Sequence, residues 1–468
     1  MSRTMLRRAV AVATMDSKRR VLQAADILID GKKIVAVGSG LEEPFDTEID
    51  LQGRVVIPGL VNTHHHLYQT LCRAIPRVQD VELFDWLVDL YQVWRHIDAE
   101  AVRVGALVGL GELLLTGCTT STDHHYLFPQ KAAANLIDVQ ASAARELGIR
   151  FHPTRGSMSR GVSLGGLPPD DVVQSEEEIL EDSERVIREL HDPEPFSMCR
   201  VALAPCSPFS VTDKLMEKSA ELARKHGVRL HTHLAETLDE EKFCIEMHGL
   251  RPLPYMERVG WLGNDVWYAH GIYFNDEEIE KIGSTGTGVA HCPSSNLRLG
   301  SGIAPVPELR AAGAPVGLAV DGSASNDSSN MLLEARQALL VQRIRRGVSS
   351  TTAMSVLEMA TLGGARVLGR DDIGSIEPGK AADLAIFDTR QLAFAGGMHD
   401  PIASLVFCTP GRADMVFVNG ELVVKGGKLR GADEDELFNR ANTIASSLVA
   451  AATTETGNDY MKPRGEKL

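Results

Sequence analysis

Three histidines, a glutamate and an aspartate in this 468-residue chain are spaced so that they can act on one object. His64 and His66 close the apolar run Ile57-Pro58-Gly59-Leu60-Val61-Asn62. Residues i and i+2 of a strand face the same side about 6.6 Å apart. Both imidazoles can therefore reach one cation with bonds near 2 Å, while His65 points away. His233, in His231-Thr232-His233-Leu234-Ala235-Glu236, is a third candidate ligand. Glu236, three residues further on, is placed to move protons beside a metal without binding it. His231 shares the face of His233 but lies deeper, as a packed or supporting residue. Asp321 directly follows the apolar run 317–320 and suits a fourth ligand and a base. The chemistry these types offer together is metal-assisted hydrolysis.

Such residues must be carried by elements that converge. Short apolar runs at 55–62, 119–123, 149–154, 200–204, 228–231, 266–269, 288–291 and 316–320 read as strands. Helical patterns at 98–117, 131–148, 175–190, 212–227, 276–283 and 306–313 fall between them. Alternation of this kind predicts a parallel α/β fold, and eight units predict a closed (β/α)8 barrel with its active site at the C-terminal strand ends. Nearly every proposed strand ends on a polar or reactive residue: His64 and His66, Asp123 and His124, Arg155, Cys206, His233 with Glu236, His270, His291 and Asp321. The two chain ends differ in texture. Asp30-Gly31 and Asn419-Gly420 are hairpin turn signals between short apolar strands. The expected organisation is a β-sandwich made from residues 1–58 and 371–430, a catalytic barrel over 59–370, and a C-terminal helix and polar tail over 431–468, the tail starting at 453.

Composition narrows the partners. Forty-eight Lys and Arg against 63 Asp and Glu give a formal charge of −15. So acidic a surface argues against nucleic acid and anionic membranes as partners. No run of about 18 apolar residues predicts a transmembrane helix, and no apolar segment follows the first arginines as a secretory signal would. The seven cysteines are widely spaced without a CxxC pair, which predicts reduced thiols and a cytoplasmic protein.

Taken together, Pro58-Gly59-x-Val61-Asn62-x-His64-x-His66, His233-x-x-Glu236, His270, His291-Cys292-Pro293-Ser294-Ser295-Asn296 and Asp321-Gly322 resemble the amidohydrolase superfamily, in its cytosine/guanine deaminase and chlorohydrolase branch. Within the branch the similarity is to members that deaminate 8-oxoguanine. It is carried by 64–70, 155–159, 165–170, 204–210 and 321–327.

The resemblance implies His64, His66, His233 and Asp321 as ligands of one divalent metal, Zn2+ with Fe2+ as the alternative. It implies His270 beside the attacking water, with Glu236 and Asp321 moving protons. Binuclear relatives carry a lysine at the end of strand four. Here that strand ends Ala204-Pro205-Cys206, which implies a mononuclear site. Adenosine-type relatives have a histidine where this chain has Cys206, which argues against a ribose-bearing substrate. Gln69, Arg155, Tyr68, Cys206 and His291 are the expected substrate contacts, with Tyr68 and Trp94 offering rings to stack. The implied reaction is hydrolytic deamination of a nucleobase-like molecule, 8-oxoguanine going to urate and ammonia. The alternatives are s-triazines such as hydroxyatrazine, guanine or a pterin, and a catalytically inactive scaffold of the same fold. A homo-oligomer is a further family expectation.

Overall fold

The computed structural model describes residues 3–133, 135–408 and 410–464. The chain opens with five strands: β1 (Arg3–Ala13), β2 (Val21–Asp30), β3 (Lys33–Gly38), β4 (Thr47–Asp50) and β5 (Arg54–Pro58). Eight more follow in alternation with helices: β6 (Leu60–Asn62), β7 (Cys118–His125), β8 (Arg150–Ser157), β9 (Ala202–Pro205), β10 (Arg229–Leu234), β11 (Val266–His270), β12 (Gly288–His291) and β13 (Val316–Leu318). The last four are β14 (Leu384–Asp388), β15 (Met415–Val418), β16 (Glu421–Lys425) and β17 (Lys428–Leu429).

Strands β6 to β13 pair in parallel and in sequence order. The ring closes through Thr63, whose backbone NH and Oγ1 both donate to Leu318 O, at 3.1 and 3.0 Å. This is the expected (β/α)8 barrel. The other strands form one mixed sheet in the order β17-β16-β15-β14-β5-β1-β2-β3, with β4 beside β1. Its two halves come from opposite chain ends and meet where Ile386 of β14 faces Val56 of β5. Asn419 and Gly420, both at positive φ, make the tight turn of the β15–β16 hairpin.

One expected strand divides in two. The run 55–62 is not continuous: β5 belongs to the mixed sheet and β6 to the barrel. Gly59 makes the crossing. A Cβ there would lie 2.1 Å from Thr119 Oγ1, and the Gly59 NH donates to Asp383 O at 2.9 Å. Two helical expectations also change. The helix expected over 131–148 begins only at Leu136 and ends at Leu147, with Gly148 at φ 73°; residue 134 lies outside the described residues. A helix absent from the expectation, Leu83–Trp94, lies over the barrel mouth and buries Leu83, Trp86, Leu87, Leu90, Tyr91 and Trp94.

Other helices start where their caps predict. Asp98 accepts from Ala101 NH at the head of Ala99–Leu115. Ser175 and Glu178 form a reciprocal capping box at the head of Glu176–Leu190. The terminal helix Glu434–Thr456 runs past the expected start of the tail, and residues 465–468 lie outside the described part. Among the described residues no helix is long and apolar enough to cross a membrane.

Two buried ion pairs lie at the N-terminal end of the barrel, the first joining β8 to the segment before β14 and the second within the segment that follows the barrel. Arg150 meets Asp383 at 2.6 Å, and Arg370 meets Asp372 at 2.7 Å. The opposite end of the barrel is left to the polar strand termini.

Candidate active site

The backbone changes conformation where the chemistry-bearing residues begin. His270, which closes β11, has φ 72°; Asp321 has φ 61°, and Ala235, just past β10, has φ 53°. Non-glycine residues rarely adopt this left-handed region, and such conformations gather at functional sites. Gly322 has a steric reason to be glycine: a Cβ there would lie 1.9 Å from Gln69 Oε1.

His64, His66 and His233 are buried, and burial holds the proton affinity of each below the ordinary range, so each is a neutral imidazole. Their hydrogen bonds then decide which nitrogen carries the proton. His66 Nδ1 lies 2.8 Å from His124 O, and His233 Nδ1 lies 2.7 Å from Cys206 O. A carbonyl only accepts, so both Nδ1 atoms are protonated and both Nε2 atoms keep a lone pair. His64 reaches the same state through another side chain. His231 Nδ1 donates to Trp267 O at 3.0 Å, and burial pushes the His231 pKa down to about 3. His231 Nε2 therefore accepts from His64 Nδ1, 2.7 Å away, which leaves His64 Nε2 as a lone pair.

Three lone pairs thus face one point. His66 Nε2 and His233 Nε2 are 3.1 Å apart with no proton between them. Asp321 Oδ1 lies 3.2 Å from His64 Nε2 and 3.3 Å from His66 Nε2. His64 Nε2 has no hydrogen-bond partner although it is fully enclosed. Mutually repelling donors at this spacing fit a single divalent cation, and nitrogen with one carboxylate suits zinc. His124 joins the same cluster, but its ring stacks on His233 with centroids 4.6 Å apart.

Glu236 and His270 stand beside this point, Glu236 Oε2 3.4 Å from His270 Nε2. Burial lifts the Glu236 carboxyl to about 7; His270 opposes the rise, while Asp321 and Glu240 add to it. Burial acts against protonating His270, but Glu236, Asp321 and a 2.9 Å bond from His270 Nδ1 to Asn296 Oδ1 outweigh it and raise its pKa. The Glu236 backbone NH donates to Glu240 Oε2 at 2.8 Å, which fixes the turn that carries it.

The cavity over this group is lined by His66, His233, Glu236, His270 and Asp321 below. Gln69, Cys206 and Ser325 supply its other polar atoms, and Trp86, Tyr91, Tyr126 and Phe209 supply rings. Gln69 Oε1 is buried without a partner. Burial pushes the Cys206 thiol up to about 12, so it is a neutral group.

Three expected substrate contacts stand elsewhere. Arg155 faces outward from β8: its Nε donates to Asp182 at 2.5 Å and its Nη2 to Gln174 at 2.8 Å, with the guanidinium over the Phe128 ring. Tyr68 lies behind the cavity wall, edge-on to Trp94, His125 and Tyr126. Trp94 is likewise packed away from the cavity, against Tyr68 and Trp86. His291 ends β12, fully buried with neither ring nitrogen bonded, and does not line the cavity. Two of the rings that do line it, Trp86 and Tyr91, were missed with their helix. The apolar spacing Leu83, Trp86-Leu87, Leu90-Tyr91, Trp94 carries that helix in the sequence.

Comparison with known proteins agrees with this geometry. The model of the amidohydrolase family matches residues 55–423. The chain is 52% identical over 454 residues to 8-oxoguanine deaminase of Pseudomonas aeruginosa, covering 96% of this chain and 100% of the relative. It is 36% identical over 470 residues to hydroxydechloroatrazine ethylaminohydrolase of Pseudomonas sp. strain ADP, covering 95% and 97%. Among solved structures, atrazine chlorohydrolase of Arthrobacter aurescens TC1 complexed with zinc aligns with a TM-score of 0.91 at 37% identity, covering 94% of this chain and 100% of that one. The family match runs from β5 through the whole barrel into β16, so it takes in both the catalytic strand ends and the sheet built from the chain's two ends: the chain belongs to the amidohydrolase family.

Proposed function

We propose that the protein is a metal-dependent aminohydrolase that converts 8-oxoguanine to urate and ammonia. The observation that carries the hydrolytic reading is the convergence of three imidazole lone pairs and Asp321 beside the Glu236–His270 pair. The 52% identical deaminase supports the choice of substrate.

In this reading His64, His66, His233 and Asp321 hold one divalent cation, zinc. When bound it supplies Lewis acidity, lowering the pKa of a coordinated water toward about 7. Asp321 accepts the proton of the attacking water, and His270 orients that water by hydrogen bonding. Glu236, protonated near neutral pH, delivers its proton to the ring nitrogen next to the amino-bearing carbon as electrons move onto it. The Glu236 carboxylate then takes the proton of the newly added hydroxyl as the C=O bond forms and passes it to the amine, which leaves as ammonia; the proton held on Asp321 restores Glu236 for the next turnover. Gln69 offers an amide to ring nitrogens and carbonyls, and Trp86, Tyr91 and Tyr126 offer apolar faces to a flat heterocycle. All seven cysteines are free thiols, which supports action in the reducing cytoplasm.

The similarity to hydroxydechloroatrazine ethylaminohydrolase supports a second reading, release of an alkylamine from an s-triazine. A panel of 8-oxoguanine, guanine, isoxanthopterin and hydroxyatrazine, read by ammonia or alkylamine release, separates the two. A kcat/KM for hydroxyatrazine above that for 8-oxoguanine would reverse the assignment.

A further inference from the structure

The opposite, N-terminal mouth of the barrel holds a second cavity, of about 190 Å³. In barrels of this kind that face usually serves stability rather than chemistry. Its polar lining is entirely basic: His152, His191, Arg200 and Arg229, with no carboxylate. In a chain of net charge −15 such a lining stands out.

The two arginines differ from their neighbours. Arg150 and Arg370, at the same end of the barrel, are matched with Asp383 and Asp372. Arg229 makes no side-chain hydrogen bond or ion pair among the described residues, and its Nε is buried without a partner. Burial lowers its pKa to about 10, with only the more distant Asp265 acting against that. Its place is built, not accidental. Arg229 precedes His231 and His233 by period two and so faces the barrel interior, its guanidinium 5.9 Å from the Trp267 ring. Gly369, at φ 64°, makes room: a Cβ there would lie 2.7 Å from Arg229 Nη1.

Arg200 is held in position by neutral acceptors, its Nε donating to Ser197 Oγ at 3.2 Å and its Nη2 to Pro193 O at 2.9 Å and Glu194 O at 3.2 Å. These bonds orient the guanidinium without neutralising it. His191 Nδ1 accepts from the Val201 NH at 3.1 Å, and burial keeps that imidazole neutral, so its Nε2 carries a hydrogen to donate. His152 Nε2 accepts from Arg370 Nη1, which places its hydrogen on Nδ1. Gly227 and Gly369 on the rim are exposed, so the cavity opens to solvent.

Asp372, Asp371 and Asp192 act on Arg200 only from beyond ion-pair distance. Two oriented guanidiniums without a contacting carboxylate and two imidazole N–H donors around one small opening are the complement of a tetrahedral oxyanion. We propose that this cavity is a binding site for a phosphoryl-type oxyanion, separate from the deaminase site and independent of its substrate assignment.

The test is calorimetric titration of the zinc-loaded protein with inorganic phosphate at constant ionic strength, for wild type and R229Q. Saturable binding of one phosphate per chain, weakened tenfold or more in R229Q, supports the site. Wild-type protein without saturable binding, or R229Q with unchanged affinity, overturns it; the latter result places the phosphate elsewhere on the protein. A parallel titration with ribose 5-phosphate identifies the source. Tighter binding than inorganic phosphate assigns an ester headgroup, and weaker or equal binding assigns the free anion. Crystals of wild-type protein soaked in selenate give a reading that needs no variant. An anomalous peak between Arg200 and Arg229 supports the site, and its absence there with selenate bound elsewhere counts against it.

Discussion

Glu236 Oε2 lies 3.4 Å from His270 Nε2, and each group opposes what burial does to the other. Burial favours neutral Glu236 and neutral His270, whereas the pair favours both charged forms. Glu236 still ends near 7, so the proton it must deliver is present at neutral pH. E236Q is therefore expected to keep its zinc and lose about 10²- to 10⁴-fold in kcat, the usual worth of a positioned general acid. Zinc content by elemental analysis alongside steady-state ammonia release checks both halves. A variant turning over near the wild-type rate removes Glu236 from its role.

The same carboxyl sets a pH limit. As the proposed acid of the first step it must be protonated, and burial raises its pKa from 4.5 to about 7. Activity is then full below that value and falls tenfold per pH unit above it. A pH series of kcat/KM on 8-oxoguanine shows this alkaline limb. A profile flat to pH 9 contradicts a protonated Glu236 as the reacting form.

Metal content follows from the donor set. The four proposed ligands, with no lysine in β9 to bridge a second ion, predict one zinc per chain. Dialysis against a chelator abolishes turnover, and one equivalent of zinc restores it. A requirement for two equivalents would mean a binuclear centre.

His231 touches neither the cavity nor the proposed cation, yet it fixes the proton on His64. H231A frees His64 to take either tautomer. Supporting partners of this kind typically contribute 10- to 100-fold to metal affinity. Competition with a chromophoric chelator measures the loss. KM for zinc-saturated enzyme should move little, which distinguishes a lost support from a damaged substrate pocket.

Asp383 connects the barrel to the sheet made from the chain ends. It pairs with Arg150 at 2.6 Å, and its Oδ1 accepts from Asn419 NH at 2.7 Å, with all three residues buried. Removing one member of a buried pair strands the other charge, so D383A is expected to cost about 3–5 kcal/mol. Urea unfolding measures that cost. Zinc stoichiometry of the folded fraction should stay at one, because the pair lies at the opposite barrel end from the site.

What could be read in the sequence depended on how strongly each residue type restricts its surroundings. Histidines separated by one residue after an apolar run have few structural uses, and His64, His66 and His233 do converge. Arg155 shows the limit. Strands of a parallel barrel are covered on both faces, so Phe151-His152-Pro153-Thr154-Arg155 carries no polar alternation to fix which side faces inward. The phase is set by pairing with β7 and β9, which lie 30 to 50 residues away in the chain. The division of 55–62 at Gly59 escaped for a similar reason. It depends on Thr119 and Asp383, both distant in sequence. The helix Leu83–Trp94 was legible, since its apolar residues recur with helical spacing, but it lies between β6 and β7 outside the strand–helix alternation.

The acceptors at the ends of the three imidazole relays are Trp267 O, His124 O and Cys206 O, all main-chain atoms. No side-chain replacement deletes a peptide carbonyl. For His66 and His233 the placement of the proton is therefore inherited with the strand geometry and is insulated from point mutation. His64 alone reads its proton through another side chain. Neutral drift in metal affinity among natural variants should accordingly concentrate at position 231, while positions 124 and 206 remain free to vary in side chain without disturbing the protonation of the ligands they support.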